Sequence, residues 1–111
     1  MKTDVFELGF LFDCYGAVLT EKQQICFDLH YNQDLSLSEI ASELGISRQG
    51  VHDTLARTES ALCTMEAQLG CAAQAQRLRE ASALLTAIAD EIADREIADR
   101  IRNAVLLIEK E

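Results

Sequence analysis

Residues 37–56 restrict the folding of this chain more than any other stretch. Ser36 and Glu39 form a capping-box pair: the serine hydroxyl accepts from the third helical amide and the glutamate reaches back to the cap amide. Ile40, Ala41 and Leu44 then recur at helical spacing, so one face of a short helix is apolar. Gly45 follows, the residue that most easily takes the left-handed conformation ending a helix. Ile46 plugs the corner. Ser47 belongs to the preferred class of N-cap for a second helix, and Val51 and Leu55 turn that helix back onto the first. The small side chain of Ala41 allows a close crossing. These features together meet the needs of two crossed helices joined by a tight turn, a helix-turn-helix.

In such motifs the second helix commonly enters the major groove with its first residues at base edges. Here those positions are Arg48, Gln49 and His52, with Arg57 further along. Arg and Gln are side chains able to read guanine and adenine, so these four are the candidate nucleic-acid contacts. The charge argues the other way. The 111-residue chain carries a net charge of −9. Residues 1–70 hold four bases against eleven acids, a balance of −7. Nucleic-acid binders draw much of their affinity from Lys and Arg on phosphates. An acidic surface also opposes long-range steering toward a polyanion. Asp53 and Glu59, on the same helix, add to the repulsion, so DNA is possible as a partner but disfavoured.

The remaining sequence also reads as helix. Proline is absent and only five glycines occur, which with abundant Ala, Leu, Glu and Arg predicts an all-α chain. A first helix is expected over about 4–17, with Val5, Leu8, Phe12, Tyr15 and Leu19 as its core stripe. Phe6, Phe10 and Cys14 form a second apolar stripe, which must face either the rest of the domain or a partner. Thr20 and Gln23 form another capping box, opening a helix to about residue 32 with Ile25, Leu29 and Cys26 inward. The second helix of the helix-turn-helix should run from 48 to about 68, with Leu55, Leu62, Met65 and Leu69 inward and Gly70 at its end.

Residues 72–110 contain neither Gly nor Pro. Leu78, Ala81, Leu85, Ile88 and Ile92 are spaced 3-4-3-4, a short heptad seam. A tandem pentapeptide follows, Glu91-Ile92-Ala93-Asp94-Arg95 and Glu96-Ile97-Ala98-Asp99-Arg100. A five-residue step shifts the apolar stripe to a new face, carried by Ile97, Ile101, Ala104 and Ile108. Either one long helix packs its halves on different surfaces, or the chain turns near 93–96. With no breaker in sight the continuous helix is expected, on the order of 55 Å long. Such a helix outruns a 70-residue domain and implies a homodimer, with Phe6, Phe10, Leu78, Leu85, Ile88 and Ile92 as candidate interface residues. The expected division is a helix-turn-helix domain over 1–70 and a helical extension over 71–111.

Other classes receive little support. Cys14, Cys26, Cys63 and Cys71 show no C-x-x-C pair, and His30 and His52 stand apart from them, so no metal site is expected. Cys14 and Cys26 read as buried small hydrophobes. No nucleophile–base set, phosphate-cradling glycine loop or H-E-x-x-H occurs, so the chain is not expected to be an enzyme or to need a cofactor. No run of about 18 apolar residues exists and the N-terminus does not read as a signal peptide. The cytoplasm is the expected location, with no membrane insertion.

Several strings recur in a known order: Leu11-Phe12-Asp13-Cys14-Tyr15, Leu19-Thr20-Glu21-Lys22-Gln23, Asp34-Leu35-Ser36-Leu37-Ser38-Glu39-Ile40-Ala41, Gly45-Ile46-Ser47-Arg48-Gln49-Gly50-Val51-His52-Asp53 and Arg57-Thr58-Glu59. Over a little more than half its length the chain resembles the YlxM family of small bacterial helix-turn-helix proteins. The wider motif is similar to region 4 of sigma factors. The resemblance implies a regulatory or accessory role beside the signal recognition particle, to whose GTPase gene the family's genes are linked. It implies the particle's protein or RNA as partner, with Arg48, Gln49, His52 and Arg57 the residues carried over as contacts. The competing expectation from the motif itself is a dimeric DNA-binding transcriptional regulator.

Overall fold

The computed structural model describes residues 4–110. Its six α-helices are α1 (Val5–Tyr15), α2 (Glu21–Phe27), α3 (Leu37–Leu44), α4 (Arg48–Leu69), α5 (Cys71–Glu91) and α6 (Arg95–Glu109). The chain divides into two compact units, Met1–Ala72 and Ala73–Glu111.

In the first unit the helix starts are set by side chains that satisfy orphan amides. Asp4 accepts from the Phe6 amide at 3.0 Å. Thr20 and Gln23 exchange side-chain and backbone bonds, as do Ser36 and Glu39. The helix ends follow the glycines. Gly45 (φ 67°) and Gly70 (φ 65°) both take the left-handed conformation that lets α3 and α4 stop cleanly.

Two corners differ from uniform helix. Beyond Tyr15 the first helix tightens into a 3₁₀ turn over Gly16–Val18. The Gln24 amide donates to the Gly16 and Leu19 carbonyls at 2.9 and 3.0 Å, fixing the approach to α2. Beyond Phe27 the helix widens into a π turn over Asp28–Asn32. The Gln33 amide reaches back five residues to the Asp28 carbonyl, while Asn32 and Gln33 side chains donate to the Asp28 carboxylate at 2.8 Å. Those bonds hold that carboxyl below its ordinary range. His30 Nδ1 donates to the Leu35 carbonyl at 3.0 Å. Asp34 then turns the chain at φ 56°, a conformation that Asp tolerates better than most residues.

Two apolar clusters hold this unit together. Leu8, Leu11, Tyr15, Leu19, Phe27 and Leu62 form one, joining α1 and the end of α2 to the middle of α4. Phe12 stacks on Phe27 with ring centroids 4.3 Å apart, and Tyr31 continues the aromatic row. Cys26, Ile40, Val51 and Leu55 form the other, with Ala41, Leu44 and Ile46 against it. This second cluster is the helix-turn-helix core, and it seats the N-terminal half of α4 on α3.

Several expected inward positions turn out otherwise. Val5 and Ile25 lie at the surface, with Leu11 and Phe27 taking the inward places. Leu69 is also exposed, because α4 has passed the packed region before its last turn. Cys26 is fully buried, and burial pushes its thiol pKa up. Cys14 is exposed rather than buried, since it shares the outer face of α1 with Phe6 and Phe10.

In the second unit the expected continuous helix over 72–110 is replaced by two helices. The break falls after Glu91, and Asp94 caps the helix that follows. Its backbone is extended and its carboxylate accepts from the Glu96 and Ile97 amides at 3.0 and 3.3 Å. An aspartate so placed is an N-cap, as effective a helix start as serine. The Ile92 amide meanwhile bonds the Ala89 carbonyl, a tight closing turn. The two pentapeptide copies therefore adopt different structures: the first supplies the turn and cap, the second the opening of α6. The helices return alongside one another. Arg102 of α6 donates to Asp90 of α5 at 2.9 Å, and residues 108–110 line the same groove as Ala75 and Leu78. The predicted seams are not what this unit buries. Ser82 and Ala89 of α5 and Ala98 and Val105 of α6 are the buried positions, each pair seven residues apart on its helix and mostly small. Leu78 and Ile88 remain at the surface, and Leu85 and Ile92 are half-buried.

Candidate nucleic-acid interface

The start of α4 is built by Ser47, whose hydroxyl accepts from the Gly50 amide at 2.9 Å. A Cβ at Gly50 would lie 3.2 Å from that same oxygen, so the glycine leaves the cap room. Val51, Thr54, Leu55, Thr58 and Leu62 point inward along α4. The two buried threonines donate to carbonyls one turn back, Thr54 to Gly50 at 2.8 Å and Thr58 to Thr54 at 2.7 Å. Both hydroxyls are thus satisfied without polar partners from another helix.

With that face seated, the first turns of α4 present the opposite face to solvent. Arg48, Gln49, His52 and Arg57 are all exposed. The four predicted residues therefore lie on one accessible stretch of helix. Asp53 sits among them and holds Gln49. Gln49 Nε2 donates to its carboxylate at 3.0 Å, and His52 Nδ1 lies 3.5 Å away. The hydrogen bond from Gln49, then that from His52, lowers the Asp53 pKa, with the charge of Arg57 adding to the effect. The aspartate therefore stays ionised well into acid. Gln49 must give up this bond before it can read a base.

Glu59, on the same helix, is half-buried, and it accepts the Tyr31 hydroxyl proton at 2.9 Å. Burial first, then Glu59, raises the Tyr31 pKa to about 12. A second tyrosine–glutamate pair closes the far end of α4. Tyr15 donates to Glu66 at 2.6 Å while its oxygen accepts from the Cys71 amide at 2.9 Å. Glu66 also accepts from the Ala72 amide at 3.0 Å. A carboxylate and a phenol thereby satisfy the first amides of α5, where no Ser, Thr, Asp or Asn precedes the helix. Burial, then Glu66, raises the Tyr15 pKa to about 12. These pairs span 28 and 51 residues. No local spacing rule exposes them, which is why sequence reasoning missed them.

Among the described residues no three His, Cys, Asp or Glu side chains gather as a metal site, and no helix is long and apolar enough to cross a membrane.

A short capped helix, a left-handed glycine turn and a second helix that seats one face and presents the other define a helix-turn-helix protein. The chain matches the model of the family UPF0122, the YlxM / p13-like helix-turn-helix proteins, over residues 2–105, and it belongs to that family. It is 46% identical over 78 residues to a UPF0122 protein of Thermoanaerobacter sp. strain X514, which covers 70% of this chain and 67% of that one. A UPF0122 protein of Symbiobacterium thermophilum is 47% identical over 74 residues, covering 67% and 69%. One from Clostridium kluyveri is 36% identical over 102 residues, covering 89% of this chain and 92% of its own. The shorter matches reach higher identity than the longer one.

Proposed function

We propose that this chain is a regulatory or accessory protein of the signal recognition particle pathway, acting through its helix-turn-helix. The pathway comes from the resemblance to the YlxM family. The observation that supports an accessory role is Asp53, an ionised carboxylate amid Arg48, Gln49, His52 and Arg57. Such a face, in a unit with a balance of −7, provides too few phosphate contacts to hold nucleic acid unaided. It suits a surface that completes a site already formed by a ribonucleoprotein. The test measures binding to the particle's protein, its RNA and the assembled particle, together with GTP turnover. The expected result is tighter binding to the assembly than to bare RNA, weakened by Arg48→Ala and Arg57→Ala. Unchanged affinity and turnover on adding the chain would contradict the reading.

A dimeric DNA-binding regulator is the second reading, favoured by the exposed Arg48 and Gln49 at the start of a Ser47-capped helix. Pairing of copies would use Leu78, Leu85, Ile88 and Ile92, in a segment whose charges nearly balance. Light scattering at micromolar concentration should then give twice the monomer mass, and Leu85→Asp with Ile88→Asp should halve it.

A further inference from the structure

We propose that the outer face of α1 is a docking site for a basic, amphipathic helix of a partner protein. The face is a groove of about 380 Å³ lined by Val5, Phe6, Gly9, Phe10, Phe12 and Asp13 of α1 and by Phe27, Tyr31 and Asn32 across from it. Phe6 is 82% exposed, Val5 59% and Phe10 45%. Gly9 and Phe10 lie three and four residues after Phe6, and Asp13 lies four and three residues after them, the spacings that put side chains on one helix face. Clustered apolar exposure of this kind marks interaction surfaces, whereas scattered apolar residues do not.

Gly9 adds an independent observation. Glycine inside a helix costs stability relative to alanine. A Cβ built at Gly9 would meet nothing within 4 Å, so packing within the chain does not require the glycine. What it provides is a gap between Phe6 and Phe10 where another backbone can come close to α1.

The charge selects the occupant. No Lys or Arg lines the groove. Asp13 lines the groove, and so does Asn32, which is bonded to the Asp28 carboxylate. A second copy would bring these same acids face to face, and nucleic acid would be repelled by them. A helix with an apolar stripe flanked by Lys and Arg meets both the aromatic floor and the acidic rim, the groove-binding mode of amphipathic helices. This site lies apart from the exposed face of α4, and it reassigns Phe6 and Phe10 from pairing of copies to a heterologous partner.

The test follows backbone amide resonances of the full chain during titration with synthetic peptides of about 15 residues. One carries Leu at helical spacing with Lys elsewhere, a second replaces Lys by Glu, and a third replaces Leu by Ser. The first should shift the amides of residues 5–13, Phe27 and Tyr31, while the other two should not. Phe6→Ser should weaken binding by about tenfold, as removal of a central aromatic anchor does. Gly9→Leu should weaken it comparably while leaving the helix-turn-helix amides in place, which separates a blocked groove from a damaged fold. The proposal is overturned by a Leu/Lys peptide that fails to bind, binds elsewhere, or is indifferent to both substitutions. Equal binding of the Glu peptide would also overturn it. So would α1 shifts that follow the chain's own concentration without peptide, since a second copy would then be the occupant.

Discussion

Asp53 has more influence on the exposed face of α4 than any of the bases around it. It bonds Gln49, draws in His52 and remains charged. Replacing it with Asn keeps an acceptor for Gln49 and removes one negative charge from beside any approaching phosphate. In water-like surroundings such a contact changes affinity only a few-fold, and salt screens it further. Asp53→Asn should therefore raise affinity for RNA or duplex DNA about threefold at low salt, measured by fluorescence anisotropy. The two tyrosines yield a second prediction. They are the only Tyr residues, and the chain has no Trp, so ultraviolet absorbance reports them cleanly. Both carry pKa values raised from 10.0 to about 12. The folded chain should show little tyrosinate at pH 10.5, and the urea-unfolded chain mostly tyrosinate. Because the native state holds these protons longer, their contribution to stability is intact below pH 10 and lost as pH rises toward 12. Arg48, Gln49, His52 and Arg57 were legible in the sequence because helical spacing after Ser47 fixes where they point. The bonds Tyr15–Glu66 and Tyr31–Glu59 were not, since they join helices far apart in the chain.

At the level of elements, caps and glycines marked most of the helix ends of the first unit. Thr20, Ser36, Ser47, Gly45 and Gly70 each act at the position their chemistry suggests. The second unit departed from expectation because the reading sought Gly or Pro as the breaker and passed over Asp94. Its cap is worth about 1 kcal/mol. Asp94→Ala should therefore speed amide exchange at Glu96 and Ile97 roughly fivefold, that free energy expressed as a local opening constant. Unchanged exchange at those two amides would mean that packing around Ala98 and Val105, not the cap, fixes the start of α6. The heptad seam shows a related limit. Leu78, Leu85, Ile88 and Ile92 have coiled-coil spacing, yet Ser82 and Ala89 are what α5 buries. Spacing identifies an apolar stripe without saying which surface covers it, and small buried residues such as Ser82 and Ala89 leave little hydrophobic signal.

For the molecule as a whole, the motif and the charge point in different directions. A helix-turn-helix invites a DNA-binding reading, and α4 has the exposed Arg48 and Gln49 that the reading needs. The first unit nonetheless carries eleven acids against four bases, and Asp53 occupies the middle of the presented face. Glu59 and Glu66 are bonded by tyrosines, neutral donors that leave the charge balance unchanged. The proposal at stake is that this helix-turn-helix, on its own, binds duplex DNA only weakly and without sequence preference, and that it acts in company with a ribonucleoprotein. The most direct measurement is anisotropy titration of the full chain against random and selected duplexes between about 50 and 200 mM salt. The account predicts weak binding without sequence preference, a salt slope corresponding to only two or three phosphates at about −0.9 each, and its loss in Arg48→Ala with Arg57→Ala. Nanomolar, sequence-selective binding at the higher salt would contradict it and establish the chain as a DNA-binding regulator.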